Sequence, residues 1–185
     1  MITDASYFEK GELFLPNAND GNVGSFIEGN LDMTIKRYER QLLIGALGID
    51  VYKELVTVYP SISTAAQKWK DLVNGVDYSI GQYSYHWEGL KGQNKEGVIA
   101  HYVYCQYLKQ DEIEYSTTGM ARNAVANATS ARYIEKYVSA WSNFREKYQG
   151  EQFYERSLLQ FLRDNEPDWP FTDYRTYGAV NRFGI

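Results

Sequence analysis

One segment of the sequence is apolar around almost its whole circumference when it is drawn as a helix: Val98-Ile99-Ala100-His101-Tyr102-Val103-Tyr104-Cys105-Gln106-Tyr107-Leu108. A helix with this pattern is buried on all sides, because no polar face is left for water. We therefore predict a helix over residues 95–109 that lies at the centre of a helical bundle.

Amphipathic stretches on both sides of this segment supply the surrounding helices. Apolar residues recur in them at helical spacing, and Gly or Asn ends several of them. The predicted helices span residues 31–47, 50–58, 64–74, 121–148 and 151–164. Residues 111–119 are predicted to form a loop. The fold class is therefore mainly α, a bundle of about five to six helices.

The apolar period changes from helical to alternating between residues 76 and 87. Two short alternating runs are separated by Gly81-Gln82, a pattern typical of a β-hairpin. The rings on one face of this hairpin are Tyr83, Tyr85 and Trp87. Because an isolated hairpin is only marginally stable in water, we expect it to lie against helices or against a neighbouring subunit.

Both ends of the chain lack helical periodicity. Residues 1–30 contain a turn-rich run and are predicted to be an N-terminal arm. Residues 166–185 contain Pro167 and Pro170 and form an aromatic C-terminal tail, which is too apolar to be a solvated linker. The predicted organisation is an arm, a helical domain over residues 31–165 and this tail.

Aromatic residues are unusually frequent, with 17 Tyr, 8 Phe and 4 Trp among the 185 residues. Tyr combines an apolar ring with a polar hydroxyl, so it suits surfaces that become buried on assembly. The surplus beyond the helix stripes gathers in the hairpin and the tail. We expect contacts with other subunits at Tyr83, Tyr85, Trp87, Trp169, Phe171, Tyr174, Tyr177 and Phe183.

The charge pattern argues against several classes of protein. The chain has 19 Lys and Arg against 24 Asp and Glu, a net charge of −5, and no basic stripe that would neutralise phosphates. An acidic wall past which DNA slides is still compatible with this charge. The sequence has no apolar run long enough to span a membrane, no signal peptide and only one cysteine, so a soluble protein made inside a cell is expected.

The sequence shows no recognisable catalytic or metal-binding motif. One Cys and two His give too few ligands for a zinc site, and His86 and His101 are interpreted as structural. Cys105 shares a helix face with His101, but a thiol on a buried helix is expected to be inert. Nucleophile-elbow and phosphate-loop motifs are missing. We therefore predict no catalytic residue, no metal and no cofactor, and a protein that is not an enzyme.

The aromatic face of the hairpin leaves other interpretations open. It could pack on the helices, pack on another subunit, or stack against sugar rings. Glu88 lies beside it and could pair with a second carboxylate across a cleft, as in glycosidases. The alternative function is therefore a carbohydrate-binding module or a small glycan-cleaving enzyme. A helical domain without a site of its own is a third possibility.

Several segments, taken in order, resemble a known protein family. A helix ending in Leu47-Gly48 is followed by a short helix with Tyr52 and Leu55, then by Trp87-x-Gly89-Leu90-Lys91, the aromatic helix Ile99–Tyr104 and Ser116-Thr117-Thr118-Gly119-Met120. This order is similar to that of small helical head–tail connector proteins, also called adaptor or neck proteins, of tailed bacteriophages. The resemblance includes the crAss-like group and other phages of Bacteroides, and it covers roughly residues 30–150.

The resemblance implies a structural protein of the virion neck, assembled in the host bacterial cytoplasm. Connector subunits form a ring, commonly twelve-fold, that binds the portal protein and the tail or other neck proteins. The ring extends the DNA channel without binding DNA specifically, and no membrane is involved. The family has no catalytic residues to carry over to this chain.

Overall fold

The computed structural model describes residues 1–15, 26–111, 113–116, 119–122, 127–151, 153–170 and 173–180. Side chains are described for residues 1–15, 31–109, 134–151, 153–170 and 173–180. Within these ranges the chain forms six α-helices and two β-hairpins. The helices are α1 (Phe26–Leu47), α2 (Ile49–Val58), α3 (Gln67–Asn74), α4 (Val98–Asp111), α5 (Asn127–Gln149) and α6 (Leu158–Asp164). The strands are β1 (Val76–Ile80), β2 (Tyr83–Trp87), β3 (Ile113–Ser116) and β4 (Gly119–Arg122).

Helix α4 is the centre of the fold, as its sequence predicts. It packs between α1 and α5, and every side chain from Val98 to Cys105 is buried. Tyr102 contacts α1 through the ring of Tyr38 at 6.2 Å and α5 through Phe144 at 5.0 Å. The predicted class, a mainly α bundle with a small hairpin, is confirmed. None of the described helices is long and apolar enough to cross a membrane.

The predicted hairpin is also confirmed, and its two strands pair antiparallel from Val76↔Trp87 to Ile80↔Tyr83. One face of the hairpin is covered by α6. Trp87 stacks on Phe161 with ring centroids 5.3 Å apart, and the Tyr78 hydroxyl donates a hydrogen bond to Asp164 Oδ2 at 2.7 Å. The hairpin is thus stabilised by the helical domain, as expected for a two-stranded ribbon.

The region between α4 and α5 differs from the prediction. In place of a loop at residues 111–119, β3 and β4 form a second hairpin, in which Tyr115 pairs with Met120. Helix α5 consequently begins at Asn127, later than the predicted 121. The strands have only four residues each, too few for alternation to be recognised, and Ala121 and Arg122 are good helix formers that extended the predicted helix backwards.

Helix α6 is much shorter than the predicted helix over residues 151–164. It begins after Ser157, which forms a capping box with Gln160: the Ser157 hydroxyl accepts from the Gln160 amide, and the Gln160 side chain accepts from the Ser157 amide at 3.1 Å. The preceding residues instead make a single parallel β-bridge between Glu155 and His86 of β2, and we call residues 153–156 the strand segment. The His86 amide donates to the Tyr154 carbonyl at 2.9 Å, and the Arg156 amide donates to the His86 carbonyl at 2.7 Å.

Other boundaries differ less. Helix α1 begins at residue 26, before the predicted 31, so it takes up the end of the segment predicted as an N-terminal arm. Helix α3 begins at residue 67 because residues 59–64 form a 3-10 helix with proline in its first turn. Helix α4 begins at residue 98, where the prediction placed the start at 95.

The N-terminal segment is fixed to the bundle by a buried carboxylate. Glu39 on α1 is only 7% exposed and accepts hydrogen bonds from the backbone amides of Ile2 at 3.0 Å and Thr3 at 2.9 Å. Phe8 and Leu13 are fully buried beside it in the core. The first 15 residues are therefore part of the folded subunit, because both their apolar side chains and their amides have partners there.

The C-terminal segment inserts Tyr177 into a cluster of rings on α4 and α5. The ring of Tyr177 lies 5.6 Å from Tyr102, 5.0 Å from Phe144 and 5.1 Å from Tyr148 between centroids. The backbone of Tyr177 is held as well, since Gln149 accepts from its amide at 2.9 Å and donates to its carbonyl at 2.9 Å. The tail thus docks on its own subunit through ring packing and hydrogen bonds.

Candidate interaction surface

Four apolar side chains lie exposed together at the turn of the first hairpin and on the strand segment beside it. We call these residues, Ile80, Tyr83, Phe153 and Tyr154, the aromatic tip. Their exposed fractions are 43%, 50%, 68% and 70%. The ring of Phe153 lies 6.5 Å from Tyr83 and 4.9 Å from Tyr154, both edge to face. The rings therefore support one another while their outer faces meet solvent.

The aromatic tip is positioned by backbone pairing and by one cation. The pairing of His86 with Tyr154 and Arg156 holds the strand segment against β2. The guanidinium of Arg156 lies 3.7 Å from the centre of the Tyr85 ring, and its Nε lies 3.1 Å from Asp164 Oδ2. Arg156 therefore joins the hairpin, the strand segment and α6, so the tip rests on a rigid support.

Acidic side chains border the aromatic tip. Glu151 and Glu155 are exposed and flank Phe153 and Tyr154 in the sequence, Glu155 also lining the cleft beside the tip. The two cations nearest in sequence are already paired, Lys147 with Glu88 and Arg156 with Asp164. The surface is consequently apolar at its centre and negative at its rim.

A polar cleft of about 290 Å³ lies beside this surface. Its lining comes from the end of β2, the loop before α4, helix α5 and the strand segment. The lining residues are His86, Glu88, Gln93, Asn143, Glu146, Lys147, Glu155, Arg156 and Ser157. Within the described ranges, no group of three His, Cys, Asp or Glu side chains could hold a metal ion.

The cleft does not offer Glu88 as a free carboxylate. Both of its oxygens accept hydrogen bonds from the Lys147 ammonium, at 2.8 and 2.9 Å. A glycosidase needs two carboxyl groups that face the scissile bond, one of them carrying the proton for the leaving group. In the cleft, Lys147 contacts both oxygens of Glu88.

The two histidines have structural contacts of different kinds. His86 Nδ1 lies 2.6 Å from Asp77 Oδ1 across the hairpin, and its Nε2 lies 3.4 Å from Gln93 in the cleft. His101 is 1% exposed on α4, with Nδ1 3.1 Å from the Gly97 carbonyl. Burial lowers the pKa of His101, so its imidazole is neutral at physiological pH.

Cys105 lies one turn after His101 on α4 and is fully buried. Burial raises the pKa of its thiol to about 12, and the Lys109 ammonium acts in the opposite direction. The thiol is therefore protonated at physiological pH, and a nucleophilic thiolate is not formed there.

The structure corrects the expected interface role of three aromatic residues. Trp87 and Trp169 are 0% and 3% exposed, Trp169 packing on Trp69 at 5.1 Å, and Tyr177 is 8% exposed in the ring cluster described above. Each is covered by its own subunit, because α6, α3 and α5 supply apolar faces that these large rings fill. They are not available for a neighbour in this fold.

The other predicted contact residues that the structure describes are either exposed or partly buried. Tyr83 is half exposed in the aromatic tip, whereas Tyr85 is partly covered by Arg156, and Tyr174 is half-buried near Arg163. Phe171 and Phe183 lie outside the described residues. Since Trp87 is buried and Tyr85 covered, Tyr83, Tyr85 and Trp87 do not form an open three-ring platform for sugar stacking.

Sequence reasoning missed Phe153 and Tyr154, the two most exposed rings of the aromatic tip. The apolar pattern of residues 151–164 predicts one helix, which assigns Phe153 to a buried stripe with the leucines of α6. The Ser157-x-x-Gln160 capping box is the signal that could have corrected this, because it marks a helix start at residue 157. With that start, Phe153 and Tyr154 precede the helix and are free to face solvent.

A model of a family of unknown function, DUF6712, matches residues 43–182, about three quarters of the chain. The chain therefore belongs to this family. The match includes the first hairpin, the strand segment and the C-terminal tail. No curated protein and no solved structure matches the chain significantly.

Proposed function

We propose that this family member is a structural subunit of a tailed-phage virion, a head–tail connector that forms a ring between portal and tail and extends the DNA channel. The observation that carries the proposal is the aromatic tip. It is a preformed, exposed apolar surface on a subunit that buries most of its other described rings.

The aromatic tip has the composition of a protein-binding surface. Interface centres are enriched in Tyr, Phe and Trp, while charged side chains collect at the rim. Phe153 and Tyr154 are each more than two-thirds exposed and are held in place by backbone pairing, so little conformational entropy is lost when they are covered. These features support the aromatic tip as the surface through which one subunit contacts another.

The rest of the subunit is consistent with assembly as its task. The net charge of −5 suits a wall that repels phosphates, so DNA can pass without being held. The order of structural motifs in residues 30–150 resembles that of connector proteins. The first 15 residues and the tail pack on the bundle, which gives a closed building block.

Carbohydrate binding is the second candidate, and the polar cleft is the observation that favours it. Gln93 and His86 face the cleft with hydrogen-bonding groups, and Tyr83 offers a half-exposed ring at the start of β2, the strand that carries His86. A glycan array on the full chain tests this directly. Binding that is lost in Gln93→Ala and unaffected in the surface variant Lys136→Ala would favour the carbohydrate reading.

The connector proposal is tested by measuring the mass of the full chain across concentrations, with negative-stain imaging of the assembled fraction. We expect rings in the wild type and at least tenfold weaker assembly in Phe153→Ser, since truncation of a central interface ring costs more than about 1.4 kcal/mol. Val56→Ser is the matched control, because Val56 is 52% exposed on α2, outside the aromatic tip. Equal assembly of both variants would contradict the role of the tip.

A further inference from the structure

The outer face of α1 carries a second exposed surface of opposite character. We call Met33, Lys36, Arg37 and Arg40 the basic face. Their spacing places them on one side of the helix, and all four side chains are exposed, Met33 by 72%. Glu39 points away from this face, into its contacts with the amides of residues 2 and 3.

The cations of the basic face are not neutralised within the described part of the subunit. Arg37 lies over the ring of its neighbour Tyr38 at 5.3 Å, and none of the described acidic side chains forms an ion pair with Lys36, Arg37 or Arg40. An exposed methionine lies at one end of the face. Exposed Asp32 lies one turn before Lys36 at the edge of the face, so the face is apolar in part and carries a net positive charge.

We infer that the basic face of one copy of this chain binds the aromatic tip of the next copy. The two surfaces are complementary, since the tip has an aromatic centre and is flanked by the exposed carboxylates of Glu151 and Glu155. Arg and Lys are attracted both to carboxylates and to the faces of aromatic rings, and Met33 supplies a flexible apolar contact.

The pairing is heterologous, because the two surfaces are different parts of the chain. A heterologous contact repeated from copy to copy closes into a ring when the rotation between copies allows it. The inference thus rests on the proposed function and assigns its subunit contact. We favour the aromatic tip over DNA as the partner of the basic face, because the tip can contact Met33 as well as the cations.

The test reverses the charge of each surface in the full chain. Variant A carries Lys36→Glu and Arg40→Glu, and variant B carries Glu151→Lys and Glu155→Lys. Each alone brings like charges together, so we expect self-association at least about tenfold weaker than in the wild type. All four residues are exposed, so both variants should keep the wild-type melting temperature.

Mixing A with B is the decisive arm. The acidic α1 face of A then meets the basic tip border of B, and the basic face of B meets the unaltered tip of A. Both contacts are attractive, so the mixture should regain near wild-type association and alternate A with B. Lys136→Glu is the control, because it reverses an exposed charge on α5 outside both surfaces and should have no effect.

Two further readouts locate the contact and identify the occupant. A photo-crosslinking residue in place of Tyr83 should label residues 33–40 of another copy. Anisotropy with a short DNA duplex should show no binding that depends on Lys36 and Arg40.

Five results would each overturn the pairing. They are crosslinks to residues outside 33–40, charge reversals that leave self-association unchanged, a mixture of A and B that does not regain association, duplex binding that is lost in variant A, and a wild type that never self-associates. Binding of the chain to a portal ring is measured separately, so the connector proposal can survive that result.

Discussion

Replacing Tyr177 by alanine tests whether the aromatic tail belongs to the core of its own subunit. The side chain is 8% exposed, and its ring lies within 6 Å of the rings of Tyr102, Trp141, Phe144 and Tyr148. Truncation of an aromatic residue in such a site removes the buried ring and leaves a cavity. The expected loss in the free energy of unfolding is about 3–5 kcal/mol.

The area buried by the ring leads to a similar magnitude. A buried tyrosine removes on the order of 150–250 Å² from water, which at about 25 cal/mol per Å² corresponds to roughly 4–6 kcal/mol as an upper estimate. For a chain of this length each kcal/mol lowers the melting temperature by about 2–4 °C. Tyr177→Ala should therefore melt roughly 6–20 °C below the wild type.

The assay is urea and thermal unfolding of the full chain, followed by circular dichroism. Tyr177→Phe is the first control, because it retains the ring in the cluster and should remain close to the wild type. Phe153→Ala is the second control, since that ring is 68% exposed and its loss should change the unfolding free energy by no more than about 0.5 kcal/mol.

Unfolding of Tyr177→Ala at the wild-type urea midpoint would show that Tyr177 is not part of the core of its own subunit. A variant that kept its stability but lost self-association would show that the tail docks on a neighbouring copy. That result would restore the expectation, based on sequence, that Tyr177 contacts another subunit.

Three more changes have sharp expected outcomes. Gly89→Ala should lower the free energy of urea unfolding by at least about 2 kcal/mol, because φ is +84° and a Cβ would lie 2.5 Å from the Gly75 nitrogen. Gly81→Ala should lower it less, because φ is +61° but a Cβ there would have nothing within 4 Å. Burial lowers the pKa of His101 in the folded chain. Wild-type stability should therefore fall as the pH drops through about 6.5, because only the unfolded chain takes up the proton there. In His101→Gln the urea midpoint should fall less over the same pH range. Ser157→Ala should cost about 1 kcal/mol in thermal unfolding through loss of the α6 cap, with Ser142→Ala near zero.

The sequence predicts those features of the fold that depend on local pattern. Helix α4 is recognisable because it is apolar on all sides, and the first hairpin because residues alternate around Gly81-Gln82. The burial of Trp87 is different, since it depends on Phe161, which lies far away in the chain and stacks on it at 5.3 Å. The alternating pattern assigns Trp87 to one face of the hairpin, but it does not identify the residue that packs on that face.

Only part of the aromatic tip could be predicted from the sequence, for the same reason. Tyr83 was found because it belongs to the alternating strand. Phe153 and Tyr154 were missed because residues 151–164 satisfy a helical pattern, and the pairing of their backbone with His86 is a contact between distant parts of the chain. Trp169 and Tyr177 have the composition of an interface, but composition alone does not distinguish a ring buried within one subunit from one buried between two.

We propose that copies of this chain form a ring on a portal. Cryo-electron microscopy of the full chain mixed with the portal protein encoded in the same genome tests it most directly. We expect a closed ring of this chain, coaxial with the portal, with the aromatic tip covered at each subunit contact and an open channel at the centre. Particles of portal alone beside free monomers, at concentrations where the chain is in excess, would contradict it.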